Sequence, residues 1–153
     1  LVKLKAPGIQ FYAIGQRPSP RVLAAAARDE CVHVPGHVPD VRPWVERAAI
    51  YVVPMRVGGG TRLKVVDAMA QGKAIVSTTL GVEGIEGQDG LHFALADDAQ
   101  GFADRIIELL DRPQERYSLG EAARARAESH YAWRTLGERL GDAYAELIRA
   151  QRT

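Results

Sequence analysis

The chain has 153 residues, 46% of them hydrophobic and 25% charged, with 20 Lys and Arg against 19 Asp and Glu for a net charge of +1. That is the length of one ordinary domain able to enclose a core without disulfides, and the usage of a soluble globular protein rather than a disordered tail or a membrane span. So small a net charge leaves no bulk excess to draw the chain onto nucleic acid or anionic lipid as a dominant partner.

In chain order, residues 1–6 (LVKLKA) read as the tail of a helix stopped by Pro7 and Gly8. With no initial Met, no charged-then-apolar leader and no apolar run near the roughly 18 residues of a spanning helix, we read the chain as a piece of a longer protein. Residues 9–14 (IQFYAI), ending at Gly15, form a strand, and residues 20–28 a helix with Pro20 in its first turn. Cys31 cannot make an internal disulfide and is read as a buried small hydrophobe in a reducing, cytoplasmic setting. Residues 32–34 form a strand ending at Pro35 and Gly36, and residues 41–48 a helix capped by Asp40. The apolar runs at 49–53 (AIYVV) and 74–77 (AIVS) carry no polar alternation, which marks strands of a parallel sheet buried on both faces. Between them lies a helix over 62–71, and residues 91–95 form a last edge strand. Residues 100–111 are helical, with Asp97 and Asp98 read as its N-cap rather than a metal site. Two further helices cover 113–128 and 132–152. In the second, Trp133, Leu136, Leu140, Tyr144, Leu147 and Ile148 make an apolar stripe, read first as packing on its own domain and alternatively as reaching toward a further one. The alternation of strand and helix predicts a doubly wound α/β layer with a parallel sheet and right-handed crossovers.

Ligands of such sheets bind beyond the carboxyl ends of the strands. The most informative loop there is PMRVGGGTRLK at 54–64, which runs from a strand end into a helix. Its three glycines allow a tight turn and close approach to a ligand, and residues 61–63 present free N–H groups at a helix start, a geometry that favours an anion. Leu63 stands where a dinucleotide fingerprint needs its third glycine, and Gly72-Lys73 lacks the rest of a P-loop. Lys64, Asp67 and Gln71 share one helix face, with Leu63, Val66 and Ala70 on the other. They are either a solvated pair or a cation and carboxylate set for a nucleoside diphosphate. His33 and His37 are separated by Pro35 and Gly36, which argues against a metal pair. Ser77, Thr78 and Thr79 lack a base and acid for a triad, and no catalytic residue is identified.

The segments VPGHVPD (34–40), AAIYVVP (48–54), GGGTRLKVVDAMAQGKAIVST (58–78) and GVEG (81–84) together resemble the C-terminal, nucleotide-sugar-binding domain of GT-B glycosyltransferases, family 4 of the retaining enzymes. The resemblance implies a Rossmann-like donor domain over 1–153, an absent N-terminal acceptor domain, and a chain that does not transfer sugar alone. It implies a nucleotide-diphosphate sugar as donor, an acceptor glycan, lipid or small molecule, no cofactor and no metal, a cytoplasmic location, and peripheral membrane association of the parent protein. Residue by residue, the amides of Gly60, Thr61, Arg62 and Leu63 match those that approach the diphosphate, with Lys64 beside them. Asp67 matches the acid that holds the donor ribose, where the family commonly has Glu. Gly59 stands where an acid would contact the sugar, a departure from the pattern. Gly36, His37 and Val38 match the region beside the base, and Gly15 ends the neighbouring strand. The rivals are a nucleotide-sugar epimerase of the same fold, drawing on Asp67, Glu83 and His37, and a noncatalytic nucleotide-binding module; a flavodoxin-like regulator lacks its acidic pocket.

Overall fold

The computed structural model describes residues 1–150. A short helix α1 (Val2–Lys5) is followed by β1 (Phe11–Ile14), α2 (Pro20–Arg28), β2 (Val32–Gly36), α3 (Arg42–Arg47) and β3 (Tyr51–Val53). Then come α4 (Leu63–Ala70), β4 (Ile75–Ser77), a 3₁₀ turn at Leu80–Val82, β5 (Ala94–Leu95), α5 (Ala99–Asp111), α6 (Pro113–Tyr131) and α7 (Trp133–Ala150). Every strand pairing is parallel, as the expected α/β layer requires.

The sheet is in two pieces. β1 pairs with β2, and β3, β4 and β5 pair in that order, with no ladder between β1 and β3. The three-stranded piece is covered on both faces. Val53 and Ile75 pack against Val65, Ala68 and Met69 of α4 and Ala123 and Ala127 of α6. On the other face, Val76 and Ala94 pack with Leu109 and with Phe102 and Ile106 of α5. This burial on both sides is why the runs at 49–53 and 74–77 lack polar alternation.

Several boundaries move for local reasons. β2 runs on to Gly36, whose carbonyl accepts from Gly15 N at 3.0 Å. β5 keeps only two residues of the expected 91–95, because residues 88–93 turn on themselves: Gly90 N donates to Phe93 O, and Leu95 N donates to Asp89 Oδ1 at 2.8 Å. α3 covers only Arg42–Arg47 of the expected 41–48, and its N-cap is Val41 without a side-chain cap, so Asp40 is not the cap; its carboxylate instead accepts from Arg42 N at 2.9 Å and from the Arg42 guanidinium. α6 continues past 128 to Tyr131, whose hydroxyl accepts from Glu86 N at 2.6 Å.

Three expectations are corrected. The buried face of α4 is Val65, Ala68 and Met69, while Leu63 stays 66% exposed and Ala70 is also exposed, because α6 arrives from the other side. The α7 stripe is not packed on its own domain: no residue of α7 is buried, and Trp133 is 90% exposed. The end of that expected helix, at 151 and 152, lies outside the described residues. Cys31 is half-buried rather than fully enclosed.

Candidate functional site

Four loops leave the carboxyl ends of β1 to β4, and hydrogen bonds tie them in two pairs. After β1 and β2, Gly15 N meets Gly36 O, and Gln16 Nε2 lies 3.3 Å from His37 Nδ1. Gly36 has φ 77°, a conformation glycine adopts freely. After β3 and β4, Thr78 Oγ1 donates to Met55 O at 2.6 Å and accepts from Gly81 N at 3.1 Å. Among the described residues no hydrogen bond crosses from one pair to the other, so Gly15, Gly36, His37 and Val38 form one group and residues 58–67 another.

The second group holds the glycine-rich loop. Gly58 and Gly60 have φ of 135° and 86°, which only glycine tolerates without strain. Gly59 has no such requirement, and a Cβ built there meets open space. The fold does not force glycine at 59, and a carboxylate side chain at that position would be accommodated. α4 begins at Leu63, one residue later than expected, with Arg62 as N-cap and no side-chain cap. Among the described residues, no backbone N–H from 58 to 64 has a hydrogen-bond acceptor; the first amide engaged is Val65 N, on Arg62 O at 2.8 Å. A run of unengaged donors at the positive end of a helix is an anion-binding arrangement.

Lys64 and Asp67 are exposed on α4, and no ion pair joins them. Gln71 turns back on the helix, its Nε2 donating to Asp67 O at 3.2 Å, so it drops out of the charged face. Asp67 also lies near Tyr51, whose hydroxyl pKa is raised by burial first and by the Asp67 charge second.

The remaining candidates are structural. Lys73 donates to Glu46 O and Ala48 O at the end of α3, and its pKa is lowered by burial. His33 Nε2 lies 2.6 Å from Gln10 Oε1, which accepts, and the ring stacks on Tyr12 with centroids 4.6 Å apart. Asp98 caps α5 through Gln100 N and Gly101 N. Asp97 holds Thr79 through its amide and hydroxyl, and those bonds keep its carboxyl below the usual range. Ser77 is fully buried and donates to Thr78 O at 2.8 Å, so it cannot serve as a nucleophile. Among the described residues no group of three or more His, Cys, Asp or Glu is arranged to hold a metal, and no helix is long and apolar enough to cross a membrane. A cavity of about 290 Å³ opens beside Pro54, Arg56, Thr78, Asp97 and Phe102, and residues 58–67 do not line it.

Sequence reasoning counted Arg62 for its amide and missed its side chain. Its guanidinium is buried and bonded to the carbonyls of Gly58, Gly59 and Leu80. Backbone acceptors leave no trace in residue types, so only the fold exposes that contact.

The family described as glycosyl transferases group 1 matches residues 1–112. A GDP-mannose-dependent monoacylated alpha-(1-6)-phosphatidylinositol monomannoside mannosyltransferase of Corynebacterium glutamicum is 32% identical over 101 residues, 61% of this chain and 26% of that protein. The lipopolysaccharide core biosynthesis mannosyltransferase LpcC of Rhizobium leguminosarum bv. viciae is 27% identical over 142 residues, 91% of this chain and 40% of that protein. Anabaena HepE, solved in complex with UDP, superposes with a TM-score of 0.78 at 14% identity, over 95% of this chain and 44% of that one. The chain thus spans well under half the length of these relatives. Its fold is that of the C-terminal domains of GT-B glycosyltransferases, and with most of its length matched the chain belongs to the glycosyl transferases group 1 family.

Proposed function

We propose that this chain is the donor-binding part of a retaining, family 4 glycosyltransferase that moves a sugar from a nucleoside diphosphate to an acceptor glycan, lipid or small molecule. The observation that carries this reading is the run of unengaged amides over 58–64 at the end of β3, opening into α4 beside exposed Lys64. When a glycosyl–phosphate bond breaks, negative charge accumulates on the departing diphosphate. Preorganised N–H donors and a cation aimed at that charge lower the barrier most where the charge grows. In this reading the amides and Lys64 do that work rather than a metal, and Asp67 accepts from the ribose hydroxyls. Gly59 supplies no carboxylate to the sugar. Gly15, Gly36, His37 and Val38 border the base. Similarity to a GDP-mannose-dependent mannosyltransferase, and to a fold solved with UDP bound, supports a nucleotide donor. The acceptor belongs to the part of the protein outside this chain, so the chain alone transfers no sugar when offered donors and acceptors.

Titrating the nitrogen-15 labelled chain with GDP and with UDP tests the site. The amides of 58–64 shift first with one of them, and Lys64→Ala and Asp67→Ala each weaken binding about tenfold, the size of a lost charge-assisted hydrogen bond. Both variants binding as tightly as the unaltered chain would overturn the assignment.

A further inference from the structure

Resting on that reading, we propose that Arg62 is a positioning residue, one that clasps the triglycine loop to the turn after β4 and so aims the loop amides outward before any donor arrives. Arg62 is the one buried charged residue among those described, its side chain 3% exposed. Its Nε donates to Leu80 O at 3.1 Å, Nη1 to Gly59 O at 2.9 Å, and Nη2 to Gly58 O at 3.2 Å and to Glu83 Oε2 at 3.4 Å. Four contacts occupy most of the five donors of a guanidinium, all on the protein side. The side chain is therefore committed to the fold and is not a phosphate ligand.

The peptide geometry says what the commitment achieves. In a planar trans peptide the carbonyl of one residue and the N–H of the next point in opposite directions. Drawing the Gly58 and Gly59 carbonyls onto the buried guanidinium turns the N–H groups of Gly59 and Gly60 away from it, toward the exposed side of the loop. These are two of the amides left unengaged. Glycine has the most conformational freedom to lose on ordering, so an untethered triglycine loop would have to be ordered when the donor binds. The clasp transfers that cost to folding, which is the general route by which preorganisation raises affinity. Glu83, 65% exposed, offsets the buried charge from the rim without being buried itself.

The clasp needs a planar fork that spans three carbonyls, which a lysine ammonium cannot do. The decisive experiment compares the unaltered chain with Arg62→Met and Arg62→Lys by nitrogen-15 relaxation and by titration with GDP and UDP. In both variants the order parameters of Gly59 and Gly60 are expected to fall from about 0.85 to below about 0.6, while Ile75 and Val76 keep theirs. Binding of the nucleotide weakens about tenfold in both. If Arg62→Met does not fold, Arg62→Lys gives the answer alone. A loop that stays rigid in either variant overturns the clasp, and so does a lysine that restores binding to within about twofold, because charge rather than shape would then be at work. If the unaltered chain binds neither nucleotide, the donor-site reading fails, and the relaxation data decide the clasp separately.

Discussion

Residues 11–47 and residues 51–131 both contain short apolar-rich strands alternating with helices, yet only the second region holds fully buried residues. Among the described residues every buried one lies between Val53 and Ala127, while Phe11 and Tyr12 on β1 remain 42% and 46% exposed. Strand propensity does not separate them; layering does. β3, β4 and β5 form three strands enclosed by α4 and α6 on one face and α5 on the other. β1 and β2 form two strands, and neither α2 nor α3 buries a residue on them. An isolated two-stranded unit is marginal in water, whereas three covered strands are not. The amide run at 58–64 therefore stands on the well-packed part, and the loops at Gly15 and at 36–38 on the thinly covered part.

The largest effects should come from changes that disturb the enclosed part. Gly120 on α6 abuts the turn that ends α4: a Cβ there overlaps the Gly72 carbonyl oxygen and comes within 3.0 Å of Gly72 C. Gly120→Val must push α6 off α4, and urea unfolding is expected to show a loss of about 4 kcal/mol or more, up to failure to fold. Met69, fully buried between β3, β4 and α6, comes next. Met69→Ala opens a cavity and costs about 3 kcal/mol. A loss below about 1 kcal/mol for both would mean that this half is no better packed than the other.

The same contrast explains what could be read from the sequence. All five strands and the main helices were legible because glycine and proline punctuate short apolar runs, and that signal is local. The buried face of α4 was not. Choosing Val65, Ala68 and Met69 over Leu63, Val66 and Ala70 depends on α6, which arrives some fifty residues later and approaches closely only because Gly120 lacks a side chain. The α7 stripe misled for the related reason that an apolar period states that a face wants cover, not what covers it. At the site, the residue types around 58–67 pointed to an anion because glycine backbone amides and a lysine carry that chemistry themselves, while the aspartate pointed only to a hydroxyl partner. Arg62 escaped because its partners are carbonyls, alike at every residue.

Smaller effects should mark the open part. Tyr12 stacks on His33 and tilts against Trp44 at 5.5 Å, a contact left largely in water. Tyr12→Ala is expected to cost about 1 kcal/mol, a third of the Met69→Ala loss despite the larger side chain removed. Hydrogen exchange at β1 and β2 should run ahead of exchange at Ile75 and Val76, and equal protection would erase the distinction between the halves.

The smallest change belongs to α7. Leu140 and Tyr144 are 58% and 60% exposed on a helix with no buried residue. Leu140→Lys removes an apolar group that the described chain does not enclose and leaves the helical backbone satisfied. Its lysine has nearly the helix propensity of leucine. Unfolding should therefore shift by less than about 0.5 kcal/mol. A loss above about 1 kcal/mol would mean that the stripe packs on this domain in solution after all. The contrast between α4 and α7, two helices of clear apolar period of which only one is covered, would then disappear.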